Sequence, residues 1–238
     1  MRAGLVGSAP ELQRNLWLEL TPTRLVIMPL ALLILLGGIA AISTAGAAKT
    51  VAVPLLWILL SLWGSRLAAD SFGEEAVRGT WDIQRLSAQS ASGLVLGKLA
   101  GGTAVVWYGA VCCWIVLAFL GAEDTGPIFA KAILAGLTAQ SAALFTVVLF
   151  HRFDSRGRRA HTTVAQIVGI LVGWNASLFS VTSKVLDTIG NGTLHWYGNA
   201  FPADEFVTVV RFGAVVWFAI GAIRLVRREL GFQDGPLG

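Results

Sequence analysis

Apolar stretches of near-membrane length constrain the fold of this chain more than any other feature. A helix needs about 20 residues to cross about 30 Å of hydrocarbon, and six stretches approach or exceed that length. Only 13% of the 238 residues are charged, which is too few to cover the surface of a soluble fold. The sequence therefore predicts an all-α integral membrane protein with six transmembrane helices. The predicted spans are Arg24–Gly46, Val51–Ala69, Leu94–Leu120, Ile128–Phe150, Thr162–Ser183 and Phe206–Val226.

Lysine and arginine are distributed unevenly over the segments between these spans. Fourteen lie on one side and three on the other, and Arg211 inside the last span completes the total of 18. Because basic residues accumulate in cytoplasmic loops, this asymmetry predicts cytoplasmic N- and C-termini and an even number of crossings. The net charge of +4 is thus interpreted as a topology signal, and no nucleic-acid partner is expected.

The chain contains no repeat or linker, and a single domain over residues 1–238 is predicted. Residues 1–23 have the pattern of an amphipathic helix that lies in the membrane interface, with a soluble helical cap as the alternative. Its apolar side consists of Leu12, Leu16, Trp17 and Leu20. Its polar side, expected to face water, consists of Glu11, Arg14, Asn15 and Glu19.

Residues 184–205 are predicted to lie outside the cell. The segment is too apolar for a solvated loop, and Gly190, Gly192 and Gly198 interrupt it too often for another span. Trp196 and Tyr197 are typical of a membrane interface. We expect short re-entrant or surface-lying helices here, before the last span.

Residues 71–92 belong to the most polar long segment of the chain, Asp70–Gly102, and are predicted to be cytoplasmic. Thr80 can cap a short helix that has Asp82 in its first turn and Arg85 in its last, in agreement with the helix dipole. Trp81 would give this helix an apolar knob for a groove on a partner protein. A solvated loop with a chance helix is the alternative.

This segment resembles the first cytoplasmic loop of ABC-2-type transporter permeases. The resemblance rests on Glu-Glu-x-x-Arg-Gly-Thr-Trp-Asp from Glu74 to Asp82, on Arg85-Leu86-Ser87, and on Leu96-Gly97-Lys98-Leu99. The six-span layout and the interfacial first helix extend it to the rest of the chain. One departure is that Ala88-Gln89 stands where the family usually has a proline.

The resemblance implies an exporter subunit in the bacterial cytoplasmic (inner) membrane. Residues 71–92 would then be the coupling segment that docks an ABC ATP-binding subunit, and two permease copies would pair as a homodimer or as a homologous heterodimer. The implied coupling residues are Glu74, Glu75, Arg78, Gly79, Thr80, Trp81, Asp82 and Arg85.

The resemblance also implies that the second and fifth spans line the translocation path. The candidate path residues are Trp57, Trp63, Gln166, Asn175 and Arg211. Polar side chains are costly to expose to lipid, so they would face protein or a water-filled path, and hydrogen bonding between helices is the alternative role. For Arg211 the alternatives are snorkelling to the interface, an ion pair with Asp187 or Glu205, and contact with an anionic substrate.

No enzymatic motif is found in the sequence. Gly97-Lys98-Leu99 lacks the spacing and the hydroxyl residue of a phosphate-binding loop, so ATP and Mg²⁺ would bind the partner subunit and no cofactor is expected here. His151, His161 and His195 are too far apart for a zinc site. Glu74, Glu75 and Arg78 are one residue short of the spacing in CAAX-type membrane proteases.

The function predicted from the sequence is thus a transport subunit without its own ATPase. Two alternatives remain. The first is a membrane scaffold or assembly factor that does not transport, and the second, narrower one is a haem-handling permease of the cytochrome c maturation type.

Overall fold

The computed structural model describes residues 10–85, 89–119, 125–153, 161–173 and 193–231, of which 89% are helical. In chain order the elements are α1 (Pro10–Glu19), α2 (Pro22–Leu32, continued as Leu33–Gly37 and Gly38–Ile42), α3 (Ala45–Trp57, continued as Ile58–Trp63 and Gly64–Arg78), α4 (Thr80–Arg85), α5 (Ala91–Gly101), α6 (Ala104–Phe119), α7 (Thr125–Phe153), α8 (His161–Gly173), β1 (Thr193–Trp196), β2 (Asn199–Pro202) and α9 (Ala203–Glu229).

Several of these helices are compatible with an integral membrane protein. Within the described ranges, four helices (α2, α3, α7 and α9) are long and apolar enough to cross a membrane. The α5–α6 pair would be a fifth if it forms one span bent by 43°. Helix α8 covers the first part of the predicted span Thr162–Ser183, and the rest of that span lies outside the described residues.

Helix α7 is at the centre of the bundle. Within its most apolar window 67% of the residues are buried, against 11% for α2 and 17% for α9, which therefore lie at the periphery. Small residues allow the close approach of neighbouring helices. A Cβ on Gly136 would lie 2.7 Å from Leu60 Cβ, and one on Gly169 would lie 2.5 Å from the Ala139 carbonyl oxygen. Close contacts of this kind are the usual basis of helix packing in membranes.

Helix α3 contains a π-helical segment, Ile58–Trp63, near its middle. In a regular α-helix the Gly64 amide would donate to the Leu60 carbonyl. Here it donates to the carbonyls of Leu59 and Ser61 instead. Side chains from two other helices bond to carbonyls of this segment. Gln140 Nε2 donates to Leu60 O at 3.0 Å, and Gln166 Nε2 donates to Leu62 O at 3.3 Å.

The predicted re-entrant helices are wrong for residues 193–202, which form an antiparallel β-hairpin with Thr193 opposite Pro202. Tyr197 and Gly198 both have positive φ, 50° and 82°. Left-handed conformations at both central residues define the tight turn that suits a two-residue hairpin, and glycine adopts one without strain. Residues 184–192 lie outside the described residues.

Candidate coupling site

The predicted short helix after α3 is confirmed as α4, and Gly79 sets its direction. Gly79 has φ 72°, a left-handed conformation that ends α3 after Arg78. The Thr80 hydroxyl donates to the Glu75 carbonyl at 3.3 Å, so it closes the end of α3. Thr80 is the first residue of that helix, and its capping role stays a prediction.

Trp81 lies inside the protein and does not form an exposed knob. Its side chain is only 3% exposed, and its ring centroid is 4.6 Å from that of Phe72. Both rings belong to an apolar cluster that also contains residues of α5, α7, α8 and α9. The turn at Gly79 places Trp81 against α3, where burial of its large apolar surface is favourable. Trp81 thus connects α4 to the core of the bundle.

The exposed surface beside α4 is formed by the last turns of α3. Glu74 and Arg78 are an ion pair of 2.8 Å with side chains 59% and 71% exposed, and Val77 between them is 45% exposed. We call Glu74, Val77 and Arg78 the α3 ridge. It combines an apolar side chain with two flanking charges, which is the surface that the sequence led us to expect around Trp81.

Glu75, the neighbour of Glu74, points in a different direction. It is paired with Lys98 of α5 and with Arg14 of α1. The Lys98 side chain is 2% exposed, and its Nζ also lies 3.1 Å from Glu11 Oε1 and 3.2 Å from the Ser71 carbonyl oxygen. These four charged residues, which we call the Lys98 cluster, join α1, α3 and α5.

The amphipathic helix over residues 10–19 is present, but the prediction that its polar side faces water is wrong at two positions. Glu11 and Asn15 are buried against α5, whereas Trp17 is 79% exposed. Asn15 Nδ2 donates to Glu11 Oε1 at 3.1 Å and to the Gly97 carbonyl at 3.3 Å. The lack of a side chain at Gly97 allows this approach, since a Cβ there would lie 2.9 Å from the Leu12 amide nitrogen.

A cavity of about 460 Å³ opens between α1 and the last turns of α3. Its lining includes Arg14, Arg24, Asp70, Glu74 and Arg78, so both signs of charge face it. Asp70 follows the predicted span Val51–Ala69. Arg66 Nε donates a hydrogen bond of 2.6 Å to its carboxylate.

The eight predicted coupling residues therefore occupy different environments. Glu74, Arg78, Gly79 and Thr80 are exposed, whereas Glu75 belongs to the Lys98 cluster and Trp81 to the core. The side chains of Asp82 and Arg85 lie outside those described. The structure thus separates residues that a partner protein could contact from residues that hold the segment in place.

The candidate path residues are also separated. Gln166 bonds to the Leu62 carbonyl, which favours the alternative role of hydrogen bonding between helices. Trp57 packs against the core between α2, α3 and α6, and Trp63 is 44% exposed. Arg211 is only 3% exposed, contrary to the snorkelling alternative. Asn175 lies outside the described residues.

Sequence reasoning did not identify the Lys98 cluster as a unit. The available signal was Lys98 between Gly97 and Gly101, because two glycines four residues apart mark a helix face that another helix can approach closely.

Comparison of the chain with protein-family models, with curated proteins and with solved structures found no match.

Proposed function

We propose that this chain is the permease subunit of an ATP-driven exporter and that its α3 ridge docks a separate ATP-binding subunit. One observation carries the proposal. The segment that resembles the coupling loop of ABC-2 permeases has an exposed ridge on its outer side and is packed into the bundle on its inner side. A contact made at the ridge would move a rigid unit, because Trp81 and the Lys98 cluster hold that unit to its neighbours.

Force transmission through the segment follows from its contacts. Phe72 and Trp81 share a buried cluster with Val147 of α7 and Val226 of α9. Well-packed interiors transmit displacement because they contain few voids that could absorb it. A displacement of the ridge would therefore move α3, which carries it, and would also reach the central helix α7 and the peripheral helix α9.

The remainder of the proposal follows the predicted layout. Six spans with both termini in the cytoplasm would place the ridge on the same side as the ATP-binding subunit. A second permease copy, identical or homologous, would complete the path at the midline of the bacterial inner membrane. The chain itself would bind no nucleotide, since the partner subunit would hold ATP and Mg²⁺.

A charge exchange in the ridge tests the docking role while preserving the helix. The double substitution Glu74→Arg and Arg78→Glu keeps an ion pair at the same spacing, so the stability of α3 should change by only about 0.5 kcal/mol. The charges presented to a partner are reversed. The assay uses the ABC ATP-binding subunits encoded in the same genome, beginning with those whose genes lie nearest the gene for this chain. We expect the exchange to lower the affinity of this chain for its ATP-binding subunit at least tenfold. We also expect this chain, in vesicles, to lose its stimulation of that subunit's ATPase activity.

The matched control is the pair of Arg24 with Glu19, which is also exposed but belongs to α1 and α2. Its exchange should leave binding unchanged. If the ridge exchange leaves both binding and stimulation intact, the docking assignment is wrong. A third outcome favours the scaffold alternative. In that case the ATP-binding subunit binds at the ridge, but this chain does not stimulate its ATP hydrolysis and no substrate is transported in any assay.

A further inference from the structure

The β-hairpin at residues 193–202 carries an aromatic surface that the coupling role does not use. Tyr197 at the turn is 91% exposed, Trp196 is 55% exposed and Phe201 is 39% exposed. Large exposed aromatic side chains grouped in one short element mark an interaction surface, because water solvates them poorly.

The orientation of this surface is fixed by contacts with α9. The ring of Phe206, in the first turn of that helix, lies 5.5 Å from the Trp196 ring and 6.4 Å from the Phe201 ring, measured between centroids. Strand β2 ends at Pro202 and α9 begins at Ala203, so no linker separates the two elements. The hairpin thus leads directly into the N-terminal turn of α9, a helix long and apolar enough to span a membrane.

The charge pattern distinguishes lipid from water as the surroundings of the hairpin. Residues 188–203 contain no aspartate, glutamate, lysine or arginine, and the next charges are Asp187 and Asp204. Tryptophan and tyrosine combine an apolar ring with a hydrogen-bonding group, and they are enriched where hydrocarbon meets the headgroups. A loop exposed to water would usually contain more charged and fewer aromatic residues.

The adjacent face of α9 has the same character. Val209 is 70% exposed, Phe212 is 64% exposed and Trp217 is 75% exposed. In a spanning helix such exposed apolar side chains meet the acyl chains, and the hairpin leads directly into the first turn of this helix. This continuity indicates the lipid bilayer as the occupant.

We propose that the hairpin over residues 193–202 is a membrane-interface anchor, whose Trp196 and Tyr197 rings insert among the lipid headgroups at the start of α9. The anchor requires only that α9 spans the membrane. It does not depend on the exporter function. It would hold the start of α9 at a fixed depth in the bilayer.

Site-directed spin labelling tests this placement in vesicles of phosphatidylethanolamine and phosphatidylglycerol. The native cysteines are removed as Cys112→Ala and Cys113→Ala, and a nitroxide is attached at Tyr197→Cys. Molecular oxygen concentrates in the bilayer and a neutral nickel chelate concentrates in water, so their collision rates report the depth of the label. We expect the oxygen-to-nickel ratio at position 197 to exceed that of a water-exposed position by at least threefold.

Two reference positions of similar exposure calibrate the measurement. Arg78→Cys replaces a side chain 71% exposed on the α3 ridge, and Trp217→Cys replaces one 75% exposed on α9. The label at 197 should fall between them. A second label at Ala200→Cys avoids the positive φ of Tyr197 and should give the same depth.

Two results would overturn the anchor. A ratio at 197 equal to that at Arg78→Cys would place the hairpin in water. Low collision rates with both reagents would place it against protein, such as a second copy of this chain. Because the readout involves no nucleotide, ATPase or transported substrate, failure of the anchor is distinguishable from failure of the proposed exporter function.

Discussion

Lys98 and Glu11 lie 87 residues apart in the chain, yet Lys98 Nζ is 3.1 Å from Glu11 Oε1 and both side chains are at least 97% buried. This contact ties the N-terminal helix to the last turn of α5. Buried charges are costly unless they are paired, and here the ammonium is shared between two carboxylates and the Ser71 carbonyl.

Substitution Lys98→Met should therefore destabilise the protein strongly. It leaves Glu11 and Glu75 in a buried site where, among the described residues, the half-exposed Arg14 is their one remaining cation. Breaking a buried pair from one side costs about 3–5 kcal/mol, and thermal denaturation in detergent should show a matching fall in Tm. Adding Glu11→Gln should recover part of this loss because it removes one of the two carboxylates.

The control for this prediction is Arg24→Met, which removes a cation from the exposed pair with Glu19. An exposed ion pair contributes less than about 1 kcal/mol, so the Tm should change little. Equal effects of the two substitutions would contradict the burial of the Lys98 cluster.

Gly97→Ala should displace α1 from α5. The added Cβ would lie 2.9 Å from Glu11 Cβ and from the Leu12 amide nitrogen, and backbone atoms cannot move aside as side chains do. Such overpacking costs about 1–3 kcal/mol. We expect faster proteolysis within residues 10–19, measured by mass spectrometry of the fragments.

A glycine with free space provides the comparison. In the described part of the chain, no atom outside the backbone of α9 lies within 4 Å of a Cβ added at Gly213, so Gly213→Ala should stabilise its helix by up to about 1 kcal/mol. If Gly97→Ala leaves the cleavage of α1 at the wild-type rate, the close approach of α1 and α5 is not maintained in solution.

Trp81 should behave as a core residue in a substitution series. Trp81→Ala removes the ring that contacts Phe72, and such truncations cost about 3–5 kcal/mol. Trp81→Phe should cost much less, since Trp81 Nε1 is buried without a hydrogen-bond partner in the described part of the chain. A Trp81→Ala variant with unchanged Tm but lost ATPase stimulation would instead support an exposed knob.

The contrast between Trp81 and Val77 shows what the sequence could and could not predict. The short helix over residues 80–85 and its position after α3 followed from local patterns, and both are present. The direction in which Trp81 points did not follow from local patterns. It depends on the left-handed turn at Gly79 and on the space between several packed helices into which the ring fits.

The same limit explains the errors at α1 and at the hairpin. The amphipathic pattern predicted helix α1 correctly, but a helical wheel cannot tell a polar side in water from one that meets a buried lysine. At residues 193–202 the glycines were recognised as breakers, whereas the positive φ of Tyr197 was not predictable, since non-glycine residues rarely adopt it. A tertiary partner, Lys98, decided the first case, and a local turn decided the second.

Gly64 and Gln140 should be energetically coupled at the π-helical segment of α3. A Cβ on Gly64 would lie 2.4 Å from Gln140 Nε2, the atom that donates to the Leu60 carbonyl. Gly64→Ala should therefore force the amide away and cost the hydrogen bond, about 1 kcal/mol in a membrane protein, in addition to strain. The readouts are Tm and hydrogen exchange in residues 58–65.

A double-mutant cycle with Gln140→Ala isolates this coupling. Gln140→Ala removes the three atoms that lie nearest to a Cβ at position 64. Gly64→Ala should therefore cost less in the Gln140→Ala background than in the wild-type protein, by at least about 0.5 kcal/mol. Gly38→Ala in α2 should be additive with Gln140→Ala, since no described residue places an atom within 4 Å of the added Cβ apart from the backbone of α2 itself. Additivity of Gly64→Ala with Gln140→Ala would show that Gln140 does not hold the π-helical segment, and the Leu60 carbonyl would then need another donor.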